Sequence, residues 1–135
     1  MKAKNPVVHF EMPAHDTKRM AAFYTKVFGW DPKFLGPEMG NYVTVATTET
    51  DDKGRPKMPG AINGGFYPRT DQVPDPHPSL VISVENIKDT MKEITRSGGK
   101  LIGEPVDIPG IGTFIAFTDT EGNRISILQP SMQMG

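Results

Sequence analysis

The sequence predicts an α+β fold made of two similar halves, each with a β-strand, a helix and further strands. The chain has 135 residues, a length that suits one domain with a sizeable hydrophobic core. The segment "RTDQVPDPHP" at positions 69–78 holds three prolines, and proline favours an extended connector because it lacks a backbone donor. The elements before this connector recur after it in the same order, which indicates an internal repeat.

The first half is predicted to run from a strand, "VVHFEM", into an amphipathic helix. Asp16 is a good N-cap because its carboxylate can accept a first-turn amide proton, and Gly29 can adopt the left-handed conformation that ends a helix. Apolar residues between them recur at spacings of three and four: Met20, Phe23, Tyr24, Val27 and Phe28. Strands are predicted at 41–48 and 61–68, with a further short strand directly after the helix.

The second half repeats this order. "SLVISV" at 79–84 is typical of a strand, and Asn86 is a suitable N-cap for a shorter helix that the glycines at 98–99 end. Later strands are predicted in "KLIGEPVDIP", "TFIAFTD" and "RISILQ". A shift of 70 positions places Asp16 on Asn86 and also places His9 on Ser79. Neither half can bury its sheet alone, so we expect the two to pack together.

Composition excludes several classes of function. Fifteen basic and sixteen acidic residues leave a formal charge of −1, so the sequence has no basic footprint for nucleic acid or for a membrane surface. No stretch approaches the roughly 18 consecutive apolar residues of a membrane span, and the N-terminus lacks the apolar segment of a signal peptide. The absence of cysteine excludes disulfides, thiolate ligands and a cysteine nucleophile. We expect a cytoplasmic protein whose partner is a small molecule or another protein, with no nucleic acid or membrane partner.

The order of these motifs resembles that of a known superfamily. "VHFEMPAHDTKRMAAFYTKVFGW" in the first half is similar to the opening module of the vicinal oxygen chelate proteins, which include glyoxalase I, bleomycin-resistance proteins and extradiol dioxygenases. "SVENIKDTMKEITRSGGKLI" and "IPGIGTFIAFTDTEGNRISILQ", with the turn "DTEGN", resemble the second module. The resemblance extends over residues 6 to 130.

The resemblance implies a particular architecture. Two βαβββ modules would form a cupped, partly open mixed β-barrel with flanking helices, around a small-molecule site. On this basis residues 1–135 form a single glyoxalase-like domain, with module 1 at about 6–68, a connector at 69–78 and module 2 at about 79–130. The family also implies a homodimer.

Metal-dependent members of the family carry ligands on the first and closing strands of both modules. By resemblance, these positions are held here by His9, Asn63, Ser79 and Ser126. Transition metals prefer imidazole and carboxylate donors, and this set supplies one imidazole and no negative charge. We therefore expect no metal and no other cofactor. One alternative set, His9 with Glu11 and His77, has suitable chemistry for zinc or iron, but prolines flank His77 in the connector.

His9 and Glu11 also allow chemistry without a metal. Both side chains lie on the same face of the predicted strand, because strand side chains alternate with a period of two. A carboxylate can fix the tautomer of an imidazole and prepare it as a general base. The candidate catalytic residues are therefore His9 and Glu11. The candidate ligand-binding residues in the predicted cup are His9, Glu11, Asn63, Ser79 and Ser126.

Three functions remain open at this point. The first is a metal-independent member of the superfamily that binds a small organic molecule, either to sequester it or to act on it by His/Glu acid–base chemistry. The second is a metal-dependent lyase or isomerase related to glyoxalase I, with an altered ligand set. The third is a non-catalytic interaction module. Fold alone does not choose among them.

Overall fold

The computed structural model describes residues 4–71, 73 and 76–131 of the chain. The described elements are β1 (Val7–Ala14), α1 (Thr17–Phe28), β2 (Asp31–Phe34), a 3-10 turn (Pro37–Met39), β3 (Val43–Ala46), β4 (Asn63–Pro68), β5 (Ser79–Ser83), α2 (Ile87–Arg96), β6 (Lys100–Ile108), β7 (Gly112–Thr118) and β8 (Arg124–Pro130). The described residues group into two compact units, one within His9–Pro78 and the other within Met1–Val8 and Ser79–Gly135. The predicted tail after residue 131 and part of the predicted connector lie outside the described residues.

Both units have the same strand order, which confirms the predicted repeat and the α+β class. In the first unit the order is β2-β3-β4-β1, and in the second it is β6-β7-β8-β5. The first strand of each module pairs in parallel with the last strand, β1 with β4 and β5 with β8. The other pairs in each module are antiparallel. Each module is therefore βαβββ.

Both helices begin at the predicted N-caps. The Asp16 carboxylate accepts the Arg19 backbone N–H at 3.0 Å, and the Asn86 side chain accepts the Asp89 N–H at the same distance. α1 ends at Gly29, which has a left-handed φ of 75°. Asp16 and Asn86 are 70 positions apart, so the starts of the two helices agree with the predicted shift.

Each helix covers one face of its own four-stranded sheet. The core of module 1 is formed by four buried residues: Ala21, Val43, Val45 and Phe66. The core of module 2 is formed by another four: Val84, Ile87, Ile115 and Ile127. Since strand side chains alternate between faces, every second residue of these strands points away from the helix. The candidate site residues lie on those opposite faces.

The predicted apolar face of α1 is partly wrong. Phe23, Val27 and Phe28 are 55%, 54% and 59% exposed, whereas Ala21, which the prediction omitted, is buried. Residues two apart on an α-helix point roughly 160° away from each other, so Phe23 points away from the strip that contains Ala21. The sheet covers only this strip, to which Tyr24 also belongs.

Candidate ligand-binding site

β1 separates core residues from candidate site residues. Phe10 and Met12 pack against the core of module 1. His9 and Glu11 alternate with them and therefore lie on the sheet face opposite α1. In the parallel pairing with β4, His9 is opposite Asn63 and Glu11 is opposite Gly65. This arrangement brings three of the five predicted ligand-binding residues to one face of one module.

The glycine pair in β4 makes room for an aromatic ring on each face of the sheet. A Cβ atom on Gly64 would lie 2.4 Å from the Phe10 ring, on the core side. A Cβ atom on Gly65 would lie 2.1 Å from the Tyr42 hydroxyl oxygen. Each of the two glycines therefore leaves the space that a ring fills.

Tyr42 connects His9 to Glu11. The Tyr42 hydroxyl lies 2.9 Å from His9 Nε2 and donates a hydrogen bond to Glu11 Oε2 at 3.1 Å. All three side chains are half-buried. The imidazole and carboxylate that the sequence suggested as a pair are therefore linked through a phenol.

Burial shifts the pKa values of His9 and Tyr42. It lowers the pKa of His9 from 6.5 to about 4, because desolvation disfavours the charged imidazolium. The pKa of Tyr42 is raised above its ordinary value by burial first, then by the charge of Glu11 and the hydrogen bond to it, and also by Tyr67. At neutral pH His9 is thus neutral and Tyr42 keeps its proton.

Sequence analysis missed Tyr42, although two signals pointed to it. Val43 and Val45 flank Thr44 in the predicted strand at 41–48, which predicts that the valines face the core and that residue 42 lies on the opposite face. The second signal is the adjacent Gly64–Gly65 pair, since glycine inside a strand often marks a close approach of another group.

Asn63 is beside His9, but its carboxamide is already engaged. Its Oδ1 accepts the backbone N–H of Thr47 at 2.9 Å, and its Nδ2 donates to the Gly54 carbonyl at 3.5 Å. These bonds hold the segment between β3 and β4 against the start of β4. In this arrangement Asn63 organises the edge of the site.

Ser79 and Ser126 lie in module 2. Ser126 is 5% exposed and is opposite Val81 in the parallel pairing of β5 with β8. Ser79 is two residues before Val81 and shares its face, which is the face opposite α2. Val81 is the repeat counterpart of Glu11, so Ser126 corresponds to Gly65 and not to Asn63. The two closing-strand positions named from the sequence are therefore not equivalent.

The candidate metal ligands do not fit a transition-metal ion. Across the described residues, no group of three or more His, Asp or Glu side chains is close enough to hold one. His77 is exposed, and the alternative set with His9 and Glu11 forms no such group. The carboxamide oxygen of Asn63 is engaged by Thr47, and hydroxyl and amide oxygens are weak donors for these metals.

The sequence and the fold can be compared with those of known proteins. The family model described as the Glyoxalase/Bleomycin resistance protein/Dioxygenase superfamily matches residues 7–127. The chain belongs to this superfamily. A glyoxylase-like domain-containing protein from Didymella fabae is 32% identical over 120 residues, which cover 87% of this chain and 88% of the relative.

Two further comparisons extend this result. The anthracycline biosynthesis protein DauV from Streptomyces sp. (strain C5) is 26% identical over 133 residues, 93% of this chain but 47% of the relative. The chain thus spans about half of that protein. The crystal structure of methylmalonyl-CoA epimerase from Mycobacterium tuberculosis aligns with a TM-score of 0.67 and 14% identity, covering 99% of this chain and 95% of the other. This likeness shows the shared fold and confirms the predicted fold class.

No helix within the described ranges is both long and apolar enough to cross a membrane.

Proposed function

We propose that this superfamily member binds a small organic molecule on the sheet face of module 1 that carries His9, Tyr42 and Glu11, and that it needs no metal ion. The observation that carries the proposal is the hydrogen-bonded row of these three side chains. Half-buried polar groups cost free energy unless they bond to each other, to water or to a ligand. Here the three groups bond to each other, which fixes their positions on the face opposite the core, where a small molecule could bind.

The protonation of the site supports binding more than proton transfer. A general base works best when its pKa lies near the operating pH, whereas burial lowers the pKa of His9 to about 4. Tyr42 holds its proton firmly and is an equally poor acid. We therefore favour recognition or sequestration of the ligand over acid–base chemistry through His9 and Glu11.

The residues have separate roles in this proposal. His9 would contact the ligand, and Tyr42 and Glu11 would fix the orientation of the His9 ring. Asn63 would hold the neighbouring segment through Thr47. Ser79 and Ser126 remain candidate ligand-binding residues of module 2. The homodimer and the cytoplasmic location stay predictions from the family and the composition.

Replacing His9 with alanine is expected to weaken ligand binding by about tenfold, because one partly buried hydrogen bond to the ligand is lost. The ligand would first be found by a thermal-shift screen of small organic molecules. Titration calorimetry would then compare the Kd of the wild type with that of His9→Ala, and chemical denaturation would measure the change in folding stability.

His15→Ala is the matched control, because His15 is exposed and lies before α1. We expect this variant to keep both the Kd and the stability of the wild type. Unchanged binding in His9→Ala would contradict the proposal and would make His9 a structural residue.

A further inference from the structure

The hydrogen bonds of Tyr42 determine which nitrogen of His9 carries the proton. A phenol has a single proton to donate, and the Tyr42 hydroxyl donates it to Glu11. An ionised carboxylate only accepts, and it is a stronger acceptor than a neutral imidazole. The Tyr42 oxygen must therefore accept its second bond, the 2.9 Å contact with His9 Nε2. His9 is consequently protonated at Nε2.

The other ring nitrogen of His9 is then an acceptor. In a neutral imidazole with a proton on Nε2, the Nδ1 atom carries a lone pair. Within the part of the chain that the structure describes, the hydrogen bond of His9 is the one to Tyr42. Nδ1 is also not among the buried polar atoms that lack a partner, a group that holds Ser131 Oγ alone among the described residues. Nδ1 is therefore not completely buried, and it can accept a hydrogen bond from a donor that reaches it.

We infer that Tyr42 is a positioning residue that holds His9 as the Nε2–H tautomer, so that the site recognises ligands offering an N–H or O–H donor to His9 Nδ1. This inference rests on the proposed binding function and specifies the chemistry of the ligand. Amides, phenols and alcohols belong to the class it admits. A carboxylate or phosphate without a proton does not belong to this class, because its lone pairs would repel the lone pair of Nδ1.

The space at Gly65 supports this role. The Tyr42 hydroxyl occupies the position next to Gly65 where any other residue would place its Cβ atom. Glu11 is opposite Gly65 in the strand pairing, so the glycine brings the phenol directly over the backbone beside its acceptor. The sequence thus places a glycine where the row of hydrogen bonds needs one.

The tautomer can be measured in the ligand-free protein by two-bond ¹H–¹⁵N correlation spectroscopy of the histidine rings. We expect His9 to show a protonated Nε2 and an unprotonated Nδ1 at neutral pH. In Tyr42→Phe the hydrogen bond is lost, and we expect the two tautomers to interconvert and their signals to average. Tyr24→Phe, which removes a phenol on the core side of the sheet, should keep the wild-type pattern. A proton on Nδ1 in the wild type would overturn the inference.

The ligand class can be tested with two simple probes, phenol and anisole, which differ in one donor proton. We expect phenol to shift the Nδ1 signal of His9 in the wild type, and to shift it several-fold less in Tyr42→Phe. Anisole should leave the signal unchanged. The same shift with both probes, or no shift with either probe, would overturn the assignment of Nδ1 as the contact atom. Because the tautomer is measured without a ligand, failure of the binding proposal would show separately, as unchanged affinity in His9→Ala.

Discussion

Replacing Gly65 with alanine is expected to destabilise the protein by about 2–3 kcal/mol, as for an overpacked core, and to break the hydrogen bonds of Tyr42. The added Cβ atom would lie 2.1 Å from the Tyr42 hydroxyl oxygen and 2.2 Å from two carbons of its ring. The phenol must therefore move away from His9 and Glu11. Urea denaturation gives the loss of stability, and the nitrogen signals of His9 report the loss of its partner.

A double-mutant cycle provides the control for this prediction. In a Tyr42→Ala background the ring is absent, so Gly65→Ala should be nearly neutral or slightly stabilising, since alanine restricts the unfolded chain. Gly64→Ala should remain costly in that background, because its clash is with Phe10. An equal cost of Gly65→Ala with and without Tyr42 would show that the ring is not the reason for the glycine.

The stability of the protein should fall as the pH falls from 6.5 to 4, through the protonation of His9. The folded-state pKa of His9 is lowered to about 4, whereas an unburied imidazole has a pKa of 6.5. Between these values the unfolded chain binds a proton that the folded chain does not, so acid favours unfolding. Above pH 6.5 the His9 imidazole is neutral in both the folded and the unfolded chain, so it no longer makes the stability depend on pH. The full loss is on the order of 2–3 kcal/mol, allowing for partial solvent exposure of the ring.

The measurement compares urea unfolding of the wild type and of His9→Gln across this pH range. Glutamine can still donate a hydrogen bond to Tyr42, but it does not titrate. We expect the difference in free energy of unfolding between the two proteins to change with pH, with the wild type losing more stability in acid. Parallel curves would contradict the burial of a neutral imidazole at position 9.

Local signals made much of the fold predictable. The caps at Asp16 and Asn86 and the turn at Gly29 depend on short stretches of sequence, and the structure confirms all three. The buried face of α1 depends on how much sheet covers the helix, which short-range periodicity does not encode. For that reason the prediction included Phe23 and omitted Ala21.

The candidate site was only partly predictable for the same reason. His9 and Glu11 share a strand, and their common face follows from the period of two. Tyr42 is 33 residues from His9 in the chain, and only strand pairing brings the two together. Asn63 and Ser126 are not equivalent because each closing strand pairs with its first strand in a particular register. Aligning the sequences of the two halves does not reveal that register.

The most direct test of the central claim, a ligand site that functions without a metal, is elemental analysis of protein purified without a histidine tag. The protein would be analysed as purified, and again after dialysis with zinc, nickel, manganese or iron(II) and removal of the free ion. We expect far less than one metal ion per chain in every case, because His9 is the one imidazole among the four ligand positions and Asn63 is engaged by Thr47. About one ion per chain, lost in His9→Ala, would contradict the claim and would favour a metal-dependent lyase or isomerase.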